Sequence, residues 1–160
     1  MRNLLLASIS FIILLSTACT KQQDCCVLAV SPAIAADRNG TSWNAKPETF
    51  NVNADTIAIV GRQTEEVLIM KIKFTGKGVY TLSPGQVINI LTVGGDVSVA
   101  EYNPDANKIS TLEIVEYDST RGIIRGRFNL AMKLHRRFST VNNSAEVTFT
   151  KGTFTQYLPK

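Results

Sequence analysis

The chain has 160 residues, with 17 Lys and Arg against 13 Asp and Glu, one His, three Cys and one Trp. One domain is the natural size for that length, and it can bury a real core without a disulfide framework. The slight basic excess is too small, and too poor in interleaved aromatics, to point to nucleic acid.

The first residues are set apart from the rest. Met1-Arg2-Asn3 is a short basic start, and Leu4–Leu15 is an apolar run of 12 residues, too short to span a bilayer comfortably. Ser16-Thr17-Ala18-Cys19 follows and resembles a lipobox, the site where a bacterial signal peptidase cuts before a lipid-bearing cysteine. The resemblance implies a lipoprotein signal peptide over residues 1–18, lipidation of Cys19, and a membrane partner reached through that lipid. Cleavage would leave 16 Lys and Arg against the 13 acids, about +3, and only Cys25 and Cys26 as thiols. Adjacent cysteines form a strained disulfide, and two thiols without a nearby histidine make poor zinc ligands. Residues 19–40 read as a tether, with the short Val27–Ala36 apolar stretch lying along the domain or adding an edge strand. Thr20 after the lipid cysteine, with no run of acids behind it, favours an outer-membrane destination in the cell envelope.

Residues 41–158 read as an all-β domain. Ser42–Ala45 and Thr49–Asn53 are short candidate strands, and Thr56–Arg62 with Glu65–Phe74 form a hairpin across Gln63-Thr64. Turn signals at Gly76-Lys77-Gly78, Ser83-Pro84-Gly85, Gly94-Gly95-Asp96 and Asn103–Asn107 separate further short strands. About nine strands with turns every eight to twelve residues predict an antiparallel β-sandwich or a partly closed barrel. Trp43 reads as a core anchor, with a ligand-stacking platform as the sharper alternative.

Leu112–Leu134 is the clearest hairpin. If residues 118–122 form its loop, Leu112 faces Phe128, Ile114 faces Gly126, and Glu113 faces Arg127. Apolar residues then meet on one side and opposite charges on the other. Near the C-terminus, Val147 and Phe149 share a phase that Phe154 leaves, so Lys151-Gly152 predicts a turn or glycine bulge.

Gly40–Ala45, Val79–Leu82, Glu116-Tyr117-Asp118, Ile124–Phe128 and Val147–Phe154 together are similar to small Bacteroidetes-type lipoproteins classed as a domain of unknown function. The similarity covers roughly residues 40–157. It implies an all-β domain on a lipid tether and brings no catalytic residues with it. Asp55-Thr56-Ile57 and Asp118-Ser119-Thr120 also look like a three-residue O-glycosylation signal, which makes Thr56 and Ser119 candidate glycan sites.

No catalytic constellation is legible, so the expectation is a protein that is not an enzyme and uses no cofactor or metal. His135 lies beside Arg136 and Arg137 with no nucleophile identifiable nearby. Glu113 and Glu116 are accounted for by cross-strand pairing, and the Asp105/Asn107 loop supplies too few oxygens for calcium. Charge is more telling. Six Lys or Arg and no acid fall between Ser119 and Ala145. Alternation places Arg125, Arg127, Lys133, His135 and Arg137 on one strand face, a candidate surface for lipid headgroups, an anionic glycan or another envelope protein. The competing reading is a solvated outer face neutralised by its neighbours. A binding or structural role is therefore expected. A small barrel carrying an apolar ligand between Met70, Met132 and the phenylalanines is the alternative, and an envelope hydrolase is a more remote one.

Overall fold

The computed structural model describes residues 31–53 and 55–158, so the expected leader, Cys19, Cys25 and Cys26 lie outside the described residues. Ten strands follow one another: β1 (Ala33–Arg38), β2 (Thr41–Asn53), β3 (Thr56–Arg62), β4 (Glu66–Lys73), β5 (Gly78–Thr81), β6 (Val87–Val93), β7 (Val97–Pro104), β8 (Thr111–Asp118), β9 (Ile123–Arg137) and β10 (Glu146–Tyr157). All pairings between them are antiparallel. Because β10 bonds to both β1 and β9, strands β1, β2, β3, β4, β6, β7, β9 and β10 close into a ring. Of the two expected architectures, the barrel is the one formed.

The 15-residue β9 explains why ten strands make an eight-stranded ring. One of its edges is taken by β10 from Ile123 to Lys133. On the other edge Ile123–Asn129 pair with β8 and Met132–Arg137 pair with β7. Strand β5 adds to the outer edge of β8 and ends the sheet. The hairpin register is the one the apolar pattern predicts: Leu112 opposite Phe128, Glu113 opposite Arg127, Ile114 opposite Gly126. The β9–β10 ladder also shifts between Phe149 and Gly152, with Lys151 at φ 51°. That bulge returns Phe154 to the buried side with Val147 and Phe149.

Three expectations are corrected. Ser42–Ala45 and Thr49–Asn53 are one continuous strand, β2. Ala33–Arg38, expected within the tether with an edge strand as one possibility, is β1 and sits inside the ring between β2 and β10, not at an edge. Ile34 and Ala36 turn inward on alternate positions, and Pro32, which has no N–H to give a ladder, stands just before the strand instead of interrupting it. The basic row on β9 is broken by a further bulge. The β7–β9 register jumps from Tyr102 opposite Leu134 to Glu101 opposite Arg136, which leaves His135 unpaired. Arg137 then faces the buried Ala100, so it shares the inward phase, and Arg136 takes the outward one.

Eight strands enclose an interior about wide enough for side chains to fill. Ile59, Leu68, Met70, Phe128, Met132 and Phe149 fill it, each essentially inaccessible. Met70 and Met132 are thus packed core, not the lining of a cavity. Close strand approach depends on glycines set beneath aromatic rings. A Cβ on Gly152 would lie 2.5 Å from the Phe128 ring, one on Gly126 2.4 Å from Phe154, and one on Gly61 2.7 Å from Trp43. Phe128 and Phe154 each cover the glycine directly across the β9–β10 ladder, the arrangement by which rings shield glycines where a sheet must curve.

Candidate functional site

The alternating strand directions gather four turns at one end of the barrel: Asn39-Gly40, Gln63–Glu65, Gly94–Asp96 and the longer loop Phe138–Ala145. They surround an open cleft of about 830 Å³ lined by Arg38, Gln63, Glu66, Leu91, Thr92 and Asn143 among others. Barrel mouths are common ligand positions because the strands end there and the loops are free to vary.

The floor of the cleft is a buried charged network. Glu66, the first residue of β4, shares the inward phase of Leu68, Met70 and Ile72 and is almost wholly buried. Its Oε1 accepts from Arg38 Nε at 2.7 Å and Asn89 Nδ2 at 2.8 Å, and its Oε2 accepts from Trp43 Nε1 at 2.9 Å. Three donors from three strands satisfy a carboxylate that would otherwise be costly to bury. Beneath the network, Phe149 meets the Trp43 ring edge to face at 5.2 Å and lies 6.0 Å below the Arg38 guanidinium. Trp43 is therefore a core anchor with its N–H committed to Glu66, not an open stacking platform.

Two buried polar atoms at this level lack a partner among the described residues: Thr92 Oγ1, on the cleft wall, and Asn89 Oδ1. Buried groups of this kind are usually bonded, so each is a place where a donor from outside would be favoured. On the far wall Tyr102 donates to Ser144 O at 2.9 Å, and Arg137 donates from Nη2 to Asn143 O at 3.3 Å, so both hold the 138–145 loop over the opening. Burial pushes the Tyr102 phenol above its ordinary value, which keeps it a neutral donor.

The sequence-derived candidates fall elsewhere. Arg125 is ion-paired to Glu116 at 2.6 Å on the outer wall. Arg127 stands opposite Glu113 and Lys133 opposite Glu146, and His135 is exposed at the bulge. The row is thus interleaved with acids along its first half. Thr56 opens β3 and Ser119 is exposed in the β8–β9 turn, both toward the end opposite the cleft. Asp105 accepts from its own loop at Asn107 N, 3.0 Å away, and no group of three or more metal-ligating side chains occurs among the described residues.

The fold and its polar mouth define a small closed β-barrel with a ligand-sized opening at one end. A family model described as a domain of unknown function, DUF6252, matches residues 30–157, and the chain belongs to that family. Neither a curated protein nor a solved structure matches it. The matched span begins just before β1, in agreement with that strand being part of the barrel.

Proposed function

We propose that the chain is a lipid-anchored protein of the cell envelope, tethered at Cys19 to the outer membrane, whose barrel is a binding module and takes its ligand at the mouth. One observation carries the second part: a cleft of about 830 Å³ whose floor is a three-donor carboxylate and whose wall holds the unpartnered Thr92 hydroxyl. A ligand reading this surface would be polar on the side of Gln63 and Asn143 and apolar against Leu91 and Val99. Binding is favoured over catalysis because both Glu66 oxygens are already occupied as acceptors, an arrangement that holds a position instead of moving a proton.

Native mass spectrometry of protein isolated from its own envelope tests the mouth. A bound species in the parent, lost when Gln63→Ala and Asn143→Ala are combined, is the expected result. Retention of that species in the double variant, or no bound species in the parent, would contradict the reading. For the anchor, Cys19→Ser is expected to move the protein out of the membrane fraction and remove the lipid mass from its N-terminal peptide.

A second reading keeps the outer face of β9. Arg127 and Lys133 are exposed and make no ion pair with another described residue, so an anionic glycan or partner could meet them. Charge reversal at Arg125, Arg127 and Lys133 should then change the set of envelope partners recovered. Identical sets would sink it.

A further inference from the structure

Apolar side chains at the mouth end are exposed together, not scattered. Val93 is 54% exposed and Val97 62%, and the two are direct cross-strand partners flanking the Gly94–Asp96 turn. Phe138, 53% exposed, continues beside them, because its N–H donates to Val99 O at 2.9 Å. Val141, 55% exposed, lies in the same 138–145 loop. Elsewhere Phe50 and Val52 form a smaller exposed pair on β2, while Val79, Ile109, Val115 and Tyr157 stand singly, and no two of these are register partners. Isolated exposed apolar residues need no explanation, whereas a contiguous rim does.

The rim adjoins positive charge. His135-Arg136-Arg137 runs straight into Phe138. The β9 bulge turns Arg136 outward and Arg137 toward the mouth, so the two guanidinium groups flank the rim on both sides of the strand. Neither makes an ion pair with another described residue; Arg137 bonds only the Asn143 carbonyl, although Glu101 stands opposite Arg136 in the ladder. Acids share this end too: Glu101 opposite Arg136, Asp96 in the turn between Val93 and Val97, and Glu65 in the β3–β4 turn, but none of them is ion-paired to Arg136 or Arg137. Apolar tips beside unpaired guanidiniums fit the boundary between the phosphates and acyl chains of a lipid surface, where each part finds its own medium.

We propose that the mouth end of the barrel docks on an anionic lipid surface, with Val93, Val97, Phe138 and Val141 entering the interface and Arg136 and Arg137 meeting lipid phosphates. This goes beyond the proposed role, and it does not require a lipid at Cys19.

Tryptophan quenching by lipids brominated in the acyl chains tests the orientation. Full-length parent, whose single Trp43 is buried in the barrel, is compared with Phe138→Trp at the rim and Val79→Trp at the far end, on vesicles of phosphatidylcholine and phosphatidylglycerol. The added emission of the Phe138→Trp variant should fall roughly twofold, as expected for a side chain reaching the headgroup–acyl boundary, while Val79→Trp should match the parent. Quenching at the far end instead, or at neither position, overturns the proposal. Adding Arg136→Glu and Arg137→Ser to the Phe138→Trp variant should abolish the effect with Trp43 emission unchanged. Quenching that survives those changes, or that is as strong on pure phosphatidylcholine, overturns the anionic assignment.

Discussion

Gly152 shows how a missing side chain sets a barrel's shape. The space a Cβ would need there is filled by the Phe128 ring, while Gly126 is crowded both by Phe154 and by the Glu113 carbonyl, 2.0 Å from the position of a Cβ. Gly152→Ala should cost about 1–3 kcal/mol by overpacking. Urea unfolding of Gly152→Ala, Phe128→Leu and the double variant should show a coupling that recovers part of that loss, because a side chain can yield. No companion change should rescue Gly126→Ala so well, because a backbone carbonyl cannot. Glu66 poses the opposite problem, a charge where apolar residues dominate. Glu66→Leu leaves the Arg38, Trp43 and Asn89 donors without their acceptor and should destabilise by about 3–5 kcal/mol. Glu66→Gln keeps one acceptor oxygen and should cost clearly less. Equal losses would mean that hydrogen bonding there is immaterial. The residue was legible in principle: an acid in phase with Leu68, Met70 and Ile72 is out of place on a buried face. Its place directly after Gln63-Thr64-Glu65 hides that signal, because an acid there fits a hairpin turn equally well.

The elements divide into those whose pattern is local and those whose pattern is not. The β8–β9 register follows from alternation on two adjacent strands, which is why it reads directly from the chain. Its turn is held by Asp118, which accepts from the Arg121 backbone N–H at 2.9 Å and from Arg121 Nε at 2.6 Å. That backbone bond first, and the side-chain bond next, lower the Asp118 pKa below its ordinary 3.8. The folded form therefore favours the carboxylate, and the stabilisation is present above the unfolded pKa and disappears as pH falls through the folded one. Asp118→Asn should lie below the parent in thermal stability at neutral pH and converge with it in acid. A gap that persists below the ordinary carboxylate value would contradict this. Strand β1 was legible only as one of two possibilities, for the converse reason. Six residues with three alanines carry little pattern of their own, and what recruits them is the pair of open edges on β2 and β10, more than a hundred residues apart in the case of β1 and β10. The β9 bulge at His135 was equally unreadable, since it answers to the partner strand β7 and leaves no mark in alternation.

On the scale of the whole molecule, closure and filling are one fact seen twice. Alternating strands that stop at eight in the ring give a core with no room for an apolar cargo, which moves the expected carrier cavity out of the lumen and leaves only the ends for recognition. One end is polar inside, apolar at the rim and bordered by Arg136 and Arg137; the other carries the turns that hold Thr56 and Ser119. On the function proposed above, the mouth is the working end. Hydrogen–deuterium exchange of the full chain, compared between detergent solution and its native envelope membranes, tests it most directly. New protection is expected at residues 63–65, 92–99 and 138–145, with the opposite turns at 74–77 and 119–122 unchanged. Protection confined to those opposite turns, or to the outer face of β9, would contradict it.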